Sequence, residues 1–212
     1  MSKIYYIKRK VLKKFKSIFS RKYLRPVILE TGAWLGKNNH FFDRRLASAI
    51  LEIFNNSGIS KNDVISDFGC GSEALYCRYF SKKGYKVIGI DGNKNVEFDS
   101  RGLGYCKDLT LEFDLEIKNK FAICLEVGEH IPKSLQNIFL RNITFNTTKK
   151  LVLSWAVVGQ GGHGHVNEKD RDEVIEIIEK LNFKYNEIES LLLLKSAGLK
   201  HFRRTMFVFD KV

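Results

Sequence analysis

The sequence predicts an α/β fold in which helices cover both faces of a mostly parallel sheet. Two observations predict it. Short apolar, β-branched runs alternate along the chain with longer amphipathic stretches, an order typical of βαβ units. A Gly-rich turn, residues 67–74, follows one such run and opens a helical stretch, as nucleotide-binding turns do. The composition agrees, because 212 residues with 44% hydrophobic side chains can bury a core without metals or disulfides.

The strands and helices can be assigned in chain order. Runs of β-branched and aromatic residues predict strands, and apolar residues at steps of three and four predict helices. The predicted strands cover residues 64–67, 86–91, 103–106, 121–126, 151–157, 183–188 and 205–209. The predicted helices cover residues 41–55, 133–142, 168–181 and 191–199, with one more from the Gly-rich turn to about Lys83. Residues 30–39 are predicted to form a loop.

The net charge of +12 lies almost entirely in a basic leader, residues 1–29. This segment contains 10 lysines and arginines and no acid, which leaves a net charge of +2 for residues 30–212. Its apolar residues recur at steps of three and four as far as Pro26, so an amphipathic helix is predicted. We therefore predict two units, the basic leader and an α/β domain at residues 30–212.

Four interpretations of the leader remain open from sequence. Residues 1–25 could lie on an anionic membrane surface with their apolar face toward the lipid. They could instead bind nucleic acid phosphates, act as a targeting peptide, or have no function. The amphipathic pattern favours the membrane surface. The nearly neutral domain behind the leader makes nucleic acid the weaker partner.

The cysteines and the uncharged segments indicate an intracellular protein. Cys70, Cys77, Cys106 and Cys124 show no CxxC spacing, and free thiols are usual in a reducing compartment. No signal peptide is recognisable, and glycines interrupt the longest uncharged run, residues 151–167. We therefore expect a cytoplasmic protein, with the leader as a peripheral membrane contact.

The Gly-rich turn is compatible with two kinds of nucleotide ligand. Gly69, Gly71 and Ala74 match the G-x-G-x-x-A pattern of dinucleotide sites. Asp91, 20 residues past Gly71, can accept hydrogen bonds from ribose hydroxyls of either ligand. Asp67 argues against a dinucleotide, because a carboxylate at this turn would repel a pyrophosphate and attract a ligand with an ammonium group.

A second acid follows the third predicted strand. Asp108 offers an acceptor for an adenine amine, and Leu109 offers an apolar wall for the ring. With these residues the sequence resembles the class I S-adenosylmethionine (SAM)-dependent methyltransferases, whose D-x-G-x-G motif is similar to Asp67, Gly69 and Gly71. The resemblance covers residues 30–210.

The resemblance implies SAM as cofactor and a seven-stranded sheet whose last strand is antiparallel. It also implies a methyl-transfer site beside residues 125–132, which follow the fourth predicted strand. Glu73 is a departure, since the family often has a third glycine there. The implied cofactor-binding residues are Asp67, Gly69, Cys70, Gly71, Asp91, Asp108, Leu109 and Glu126.

Histidines near the implied methyl-transfer site are the candidate catalytic residues. Methyl transfer from a sulfonium depends mostly on alignment, but a hydroxyl acceptor also needs a base. His130 follows the fourth predicted strand and His165 lies in the Gly-rich loop 155–167, so both are candidates. A structural role for His130 stays open. We expect no metal, because no third ligand is evident beside His163 and His165.

Four further residues are candidate substrate contacts. Loop 155–167 interleaves four glycines with polar side chains, which suits a polar acceptor, although a flexible linker is the alternative. Trp34 and His40 precede the first predicted strand, where related methyltransferases have a lid, but Trp34 could equally pack at the domain edge. The predicted substrate contacts are Trp34, Trp155, His163 and Asn167.

These features predict SAM-dependent O-methylation of a sugar or another small polar acceptor. The resemblance to small methyltransferases encoded with glycan-modifying enzymes favours a glycan. One alternative is a nucleic-acid methyltransferase, which the nearly neutral domain and the lack of an Asn-Pro-Pro-Tyr-like motif disfavour. Another is a non-catalytic module that binds a partner through its leader. A dehydrogenase is disfavoured by Asp67.

Overall fold

The structure is a computed structural model, and it describes residues 27–36, 41–116 and 119–212. The predicted helix of the leader, residues 1–25, therefore lies outside the described residues, as does the candidate lid residue His40.

A seven-stranded sheet forms the centre of the described structure. Its strands are β3 (Val64–Phe68), β4 (Lys86–Asp91), β5 (Gly104–Cys106), β6 (Asn119–Cys124), β7 (Thr147–Ser154), β8 (Phe183–Tyr185) and β9 (Met206–Lys211), in the order β5-β4-β3-β6-β7-β9-β8. Neighbouring strands are parallel except at β9, which is antiparallel to both β7 and β8. The predicted mostly parallel sheet with an antiparallel last strand is confirmed. Because β4 and β6 flank β3, the carboxyl end of β3 is the topological switch point where open α/β sheets bind ligands.

Helices cover both faces of this sheet. They are α1 (Arg44–Asn56), α2 (Leu75–Lys82), α3 (Val96–Asp99), α4 (Gln136–Phe145), α5 (Arg171–Glu179), α6 (Glu187–Ser196) and α7 (Phe202–Thr205). On one face α1, α2 and α6 form a core with the sheet, in which Phe54 packs against Phe121 with ring centroids 4.9 Å apart. On the other face α4 and α5 form a second core through residues such as Phe139 and Ile178. The doubly wound architecture is therefore confirmed.

Asp43 sets the start of α1 and ties it to the C-terminal part of the chain. Its Oδ1 accepts a hydrogen bond from the N–H of Leu46 at 3.1 Å, which caps the helix. Its Oδ2 accepts from the N–H groups of Gly198 at 2.7 Å and Leu199 at 2.8 Å. The helix therefore begins at Arg44, later than the sequence predicted.

A short hairpin precedes α1 where the sequence predicted only a loop. Strands β1 (Val27–Ile28) and β2 (Trp34–Leu35) pair antiparallel across the predicted domain boundary at residue 30. At its turn Gly32 has φ +88°, and a Cβ there would lie 2.3 Å from the carbonyl oxygen of His130. The turn thus packs directly on the segment after β6. Strands of two residues are too short to show the period-2 alternation that predicts a strand.

Several other boundaries differ from the prediction. The strand expected at 183–188 ends at Tyr185, and the helix expected from residue 191 already begins at Glu187. The helix expected from residue 133 begins as a 3₁₀ turn at Lys133–Leu135 and becomes α-helical in α4. The strand expected at 151–157 is β7, which begins four residues earlier and ends at Ser154. None of the helices in the described ranges is both long and apolar enough to cross a membrane.

Candidate active site

Two neighbouring cavities open beyond the carboxyl ends of β3, β4 and β6. The first, the Asp91 cavity, has Thr31, Gly69, Asp91, Asp108, Leu109 and Val127 in its wall. The second, the His165 cavity, has Asp67, Cys70, Glu129, Gln160, His163 and His165 in its wall. Four residues line both cavities, namely Trp34, Gly69, Glu126 and His130. The cavities therefore share a junction at the end of β3.

The Gly-rich turn needs glycine at position 69 for two reasons. Gly69 has φ +80°, a conformation that side chains with a Cβ rarely adopt. A Cβ there would also lie 2.3 Å from Cγ2 of Val127. Its N–H donates to the carbonyl oxygen of Ile90 at 2.7 Å, which holds the turn against the end of β4.

Backbone groups orient the carboxylate of Asp91 at the end of β4. The N–H of Gly71 donates to Oδ2 at 2.8 Å, and the N–H of Asn93 donates to Oδ1 at 2.8 Å. Each carboxylate oxygen has more than one acceptor position, so these bonds position the group and leave it able to accept from a ligand hydroxyl. Gly71, predicted as a ligand contact, thus supports Asp91 from the turn.

Asp108 and Leu109 follow β5 and complete the Asp91 cavity. The N–H and the hydroxyl of Thr110 both donate to Oδ1 of Asp108, at 2.8 and 2.7 Å. Both bonds use the same oxygen, so they fix the carboxylate without engaging Oδ2. Leu109 is buried and contributes an apolar surface to the same wall.

Asp67 is a strongly perturbed acid beside the junction of the two cavities. Burial at the end of β3 raises its pKa to about 7; the Cys77 thiol, 3.6 Å away, opposes this shift, and the charge of Asp91 adds to it. Burial also raises the pKa of the Cys70 thiol, which lines the His165 cavity in its neutral form. A carboxyl group with these surroundings gains most from a ligand that brings a positive charge.

Glu126 stands at the end of β6 in an unusual backbone conformation, with φ +53°. The Ser154 hydroxyl accepts from the N–H of Glu126 at 2.7 Å and lies 2.9 Å from its Oε1. The side-chain amide of Gln160 donates to Oε2 at 3.3 Å. A residue keeps a strained backbone conformation of this kind where several surrounding contacts hold it in place, which is common at functional sites. Here the contacts hold a second carboxylate at the junction.

Aromatic rings gather around the same junction. Trp34 lies edge to face with His130, with centroids 5.1 Å apart, and with His163 at 5.6 Å. His130 lies edge to face with His165 at 5.0 Å. The structure therefore brings both predicted catalytic histidines together and places two of the predicted substrate contacts beside them.

Glu129 joins this group although the sequence analysis did not single it out. Its side chain is fully buried, and neither carboxylate oxygen makes a hydrogen bond to the described residues within ordinary geometric limits. Burial raises the pKa of this carboxyl well above its usual range, and the charge of Glu126 raises it further. One ligand atom of Glu129 lies within 4.8 Å of a ring nitrogen of both His130 and His165.

Glu168 holds the Gly-rich loop in shape and orients His165. Its Oε1 accepts from the N–H of Gly161 at 2.7 Å and lies 2.8 Å from Nδ1 of His165. Its Oε2 accepts from the N–H of Gly159 at 2.8 Å. The hydrogen bond with His165 is the main reason that the pKa of Glu168 is lowered. In this structure the loop is therefore wrapped around the Glu168 carboxylate.

Two predicted substrate contacts, Trp155 and Asn167, lie in the protein interior instead. The indole of Trp155 is 1% exposed, and its N–H donates to the carbonyl oxygen of Asn167 at 2.6 Å. The ring fills space left by Gly128, where a Cβ would lie 2.4 Å from it. The amide of Asn167 donates to Gln136 at 3.0 Å. These contacts correct the sequence prediction, since the two residues support the loop from below and line neither cavity.

The predicted cofactor residues are found near one another, as the sequence suggested. Gly69, Asp91, Asp108, Leu109 and Glu126 line the Asp91 cavity, and Asp67 and Cys70 line the His165 cavity. Their roles as ligand contacts stay predictions.

No family model and no curated protein matches this sequence. Solved structures do share its fold. The magnesium protoporphyrin IX methyltransferase from Synechocystis PCC 6803 with bound SAH is 15% identical, with a TM-score of 0.59 over 79% of this chain and 82% of that one. A TehB-like SAM-dependent methyltransferase from Corynebacterium glutamicum is 15% identical, with a TM-score of 0.59 over 96% of this chain and 97% of that one. A SAM-dependent methyltransferase from Clostridium acetobutylicum is 8% identical, with a TM-score of 0.62 over 97% of this chain and 99% of that one. The chain therefore has the fold of class I SAM-dependent methyltransferases.

Proposed function

We propose that this protein is a SAM-dependent methyltransferase that methylates a hydroxyl group of a sugar or another small polar acceptor. The observation that supports it most is the junction where Trp34, Gly69, Glu126 and His130 line both cavities. A cofactor in the Asp91 cavity and an acceptor in the His165 cavity would meet there. Proximity and alignment are the main requirements of methyl transfer.

The residues of the Asp91 cavity fit the chemistry of SAM. Asp91 is held by backbone groups in a position to accept from two ribose hydroxyls, and Asp108 keeps Oδ2 available for an adenine amine. Leu109 offers the apolar surface for the ring. Asp67 and Glu126 supply negative charge at the junction, where the ammonium group would lie. When bound, SAM supplies a methyl group that its positive sulfur already activates.

The residues of this chain align the acceptor and keep water away. Trp34 and Val127 cover the junction with apolar surface, which favours a dry transfer step. His130 and His165 face the His165 cavity, where an acceptor hydroxyl would bind. A proton must leave this hydroxyl, so the histidine pair is where its activation takes place.

The wall of the His165 cavity favours a polar acceptor. Gln160, His163, His165 and His201 line it, and these side chains offer the donors and acceptors that sugar hydroxyls need. The net charge of +2 on residues 30–212 gives little attraction for a polyanion. Both observations support a neutral, hydroxyl-rich acceptor over nucleic acid.

Methyl-labelled SAM offers a direct test. The full chain is incubated with labelled SAM and a panel of free sugars, nucleotide-linked sugars and RNA. We expect label on a sugar oxygen, and loss of that label in His165→Asn while SAM binding is retained. Label only on RNA would support the nucleic-acid alternative. Binding of SAM without transfer to any acceptor of the panel would support a non-catalytic module.

A further inference from the structure

We propose that Glu129, His130 and His165 bind a divalent transition-metal cation in the wall of the His165 cavity. One ligand atom from each residue lies within 4.8 Å of the other two. Metal–ligand distances are about 2.0–2.2 Å, so ligand atoms in a site lie up to about 4 Å apart, and small side-chain rotations would complete this one. Two imidazoles and one carboxylate are typical of zinc, manganese and iron sites with open positions.

The buried carboxylate of Glu129 is an independent reason to expect a cation. Its side chain is fully buried, and neither oxygen makes a hydrogen bond of ordinary geometry with the described residues, although the backbone N–H groups of Glu129 and Ala156 lie close enough to lower its pKa slightly. A buried carboxylate without well-formed hydrogen bonds is costly in its ionised form, so it either holds a proton or is compensated by a positive charge, and a bound cation would supply that charge. The two imidazoles are the groups close to it that commonly ligate metals.

Both histidines are already oriented in the manner of metal ligands. Nδ1 of His165 lies 2.8 Å from a carboxylate oxygen of Glu168, and Nδ1 of His130 lies 3.1 Å from the carbonyl oxygen of Gly164. These oxygens only accept, so each Nδ1 donates its proton to them, which leaves Nε2 as the nitrogen that would bind a metal. Metal-binding histidines usually donate their other N–H to a carboxylate or a backbone carbonyl in this way.

The fold brings together ligands that the sequence keeps apart. From sequence no third ligand was evident beside His163 and His165, and no metal was expected. The structure places the segment after β6 against the Gly-rich loop, where the N–H groups of Val166 and Asn167 donate to the carbonyl oxygen of Glu129 at 2.8 and 3.0 Å. Glu129 and His130 thereby become the second and third ligands, and His163 stays outside the group.

The role of the cation rests on the proposed function. An acceptor hydroxyl would bind at an open position, which lowers the pKa of the hydroxyl and lets its proton pass to the carboxylate of Glu126, which lines both cavities. Its oxygen then forms the O–CH₃ bond as the S–CH₃ bond of SAM breaks, and the electron pair of that bond stays on sulfur. A second open position would suit a neighbouring hydroxyl, which favours a sugar diol as acceptor.

Metal binding can be measured without SAM or an acceptor. The untagged full chain is stripped with a chelator and titrated with Co²⁺ alone by calorimetry and visible absorption. We expect one equivalent of Co²⁺ and a visible absorption band. Loss of an outer group that only supports a ligand typically costs about 10–100-fold in affinity, so Glu129→Gln and His165→Asn are expected to cost at least about tenfold.

His163→Asn is the matched control, because His163 lies in the same loop and cavity but is not one of the three ligands. It is expected to bind Co²⁺ as the unchanged chain does, and Glu168→Gln is expected to bind it more weakly. Thermal unfolding of the stripped variants checks that each is folded. Equal affinity in all four variants would mean an adventitious ion only and would overturn the proposal, as would the absence of stoichiometric binding.

Calorimetry with SAM separates this proposal from the proposed function. If the chain binds Co²⁺ through His165 but does not bind SAM, the metal-site proposal stands and the methyltransferase proposal is rejected. If the chain has no affinity for Co²⁺ but binds SAM and still transfers its methyl group after chelation, the metal-site proposal is rejected and the methyltransferase proposal stands.

Discussion

The indole of Trp34 meets the imidazole of His130 edge to face, with ring centroids 5.1 Å apart. This contact joins the hairpin β1–β2 to the turn after β6, and both rings line both cavities. A Cβ at Gly32 would lie 2.3 Å from the carbonyl oxygen of His130, so the hairpin turn packs closely on the segment after β6. The hairpin therefore forms part of the wall at the junction.

Replacing Trp34 tests whether the hairpin contributes to cofactor binding. Trp34→Ala removes edge-to-face contacts with His130 and His163, each worth about 0.5–1.5 kcal/mol. We expect SAM affinity to fall by about tenfold, while Trp34→Phe retains most of it because a ring remains. Calorimetry measures both. Unchanged affinity in Trp34→Ala would show that the hairpin packs at the domain edge and does not contribute to the site.

The buried carboxyl of Asp67 predicts a pH dependence of SAM binding. Its pKa is raised to about 7, so in the free protein it is largely protonated at pH 5. An ammonium group favours the ionised form, so binding releases a proton and affinity rises from pH 5 to 7, by up to about tenfold per unit. Calorimetry across this range is expected to show the rise in the unchanged chain. Asp67→Asn is expected to bind more weakly and without this slope.

The same group predicts the opposite trend for stability. The folded-state pKa of Asp67 lies above the ordinary value of 3.8 that it has in the unfolded chain, so its contribution to stability is fully present below that value. The contribution is lost as pH rises to about 7, because the unfolded chain then binds fewer protons than the folded one. The stability difference between the unchanged chain and Asp67→Asn in chemical unfolding is therefore expected to shift against the unchanged chain from pH 4 to 7. A pH-independent difference would contradict the raised pKa.

Trp155 is expected to matter for stability and not for the acceptor. Trp155→Leu loses buried volume and the hydrogen bond to Asn167, and large-to-small core changes cost about 2–5 kcal/mol. Trp155→Phe is expected to cost less. In both variants SAM affinity and KM for the acceptor stay close to those of the unchanged chain at temperatures where the protein is folded. A raised KM with unchanged unfolding would restore Trp155 as a substrate contact.

The basic leader lies largely outside the described residues, and its membrane role remains a proposal. Its 10 positive charges and its apolar face predict binding to anionic vesicles. The full chain is expected to sediment with vesicles rich in phosphatidylserine and to be released by salt. A chain shortened to residues 27–212, which keeps the whole hairpin, is expected to stay in solution. Equal sedimentation of both chains would reject the membrane proposal.

The cofactor side of the site could be predicted from sequence because of how a parallel sheet is built. Asp67, Asp91 and Asp108 each end or follow a strand, and the carboxyl ends of parallel strands meet at one edge. Their positions in the sequence therefore predicted that these three carboxylates would lie near one another. The seven-stranded sheet with its antiparallel last strand followed from the family resemblance and is confirmed.

The acceptor side could not be predicted to the same extent, because it depends on contacts across the fold. Glu129 comes close to His165 only when the Gly-rich loop folds over it. In the sequence, its position next to His130 is the one feature that points to it. Glu168 holds the loop through three hydrogen bonds, and no sequence motif predicts them. Trp155 stands among glycines and suggested a pocket wall, but Gly128 on a neighbouring segment makes space for it in the core.

Titration of the full chain with SAM by calorimetry tests the central proposal most directly. We expect one equivalent of SAM to bind and no measurable binding of NAD⁺. Hydrogen bonds to charged groups contribute about 1.5–3 kcal/mol, so Asp91→Asn is expected to weaken SAM binding by at least about tenfold. Asp172→Asn, an exposed acid on α5, is the matched control and is expected to bind normally. Absence of SAM binding, tight binding of NAD⁺ or full affinity in Asp91→Asn would contradict the proposed cofactor site.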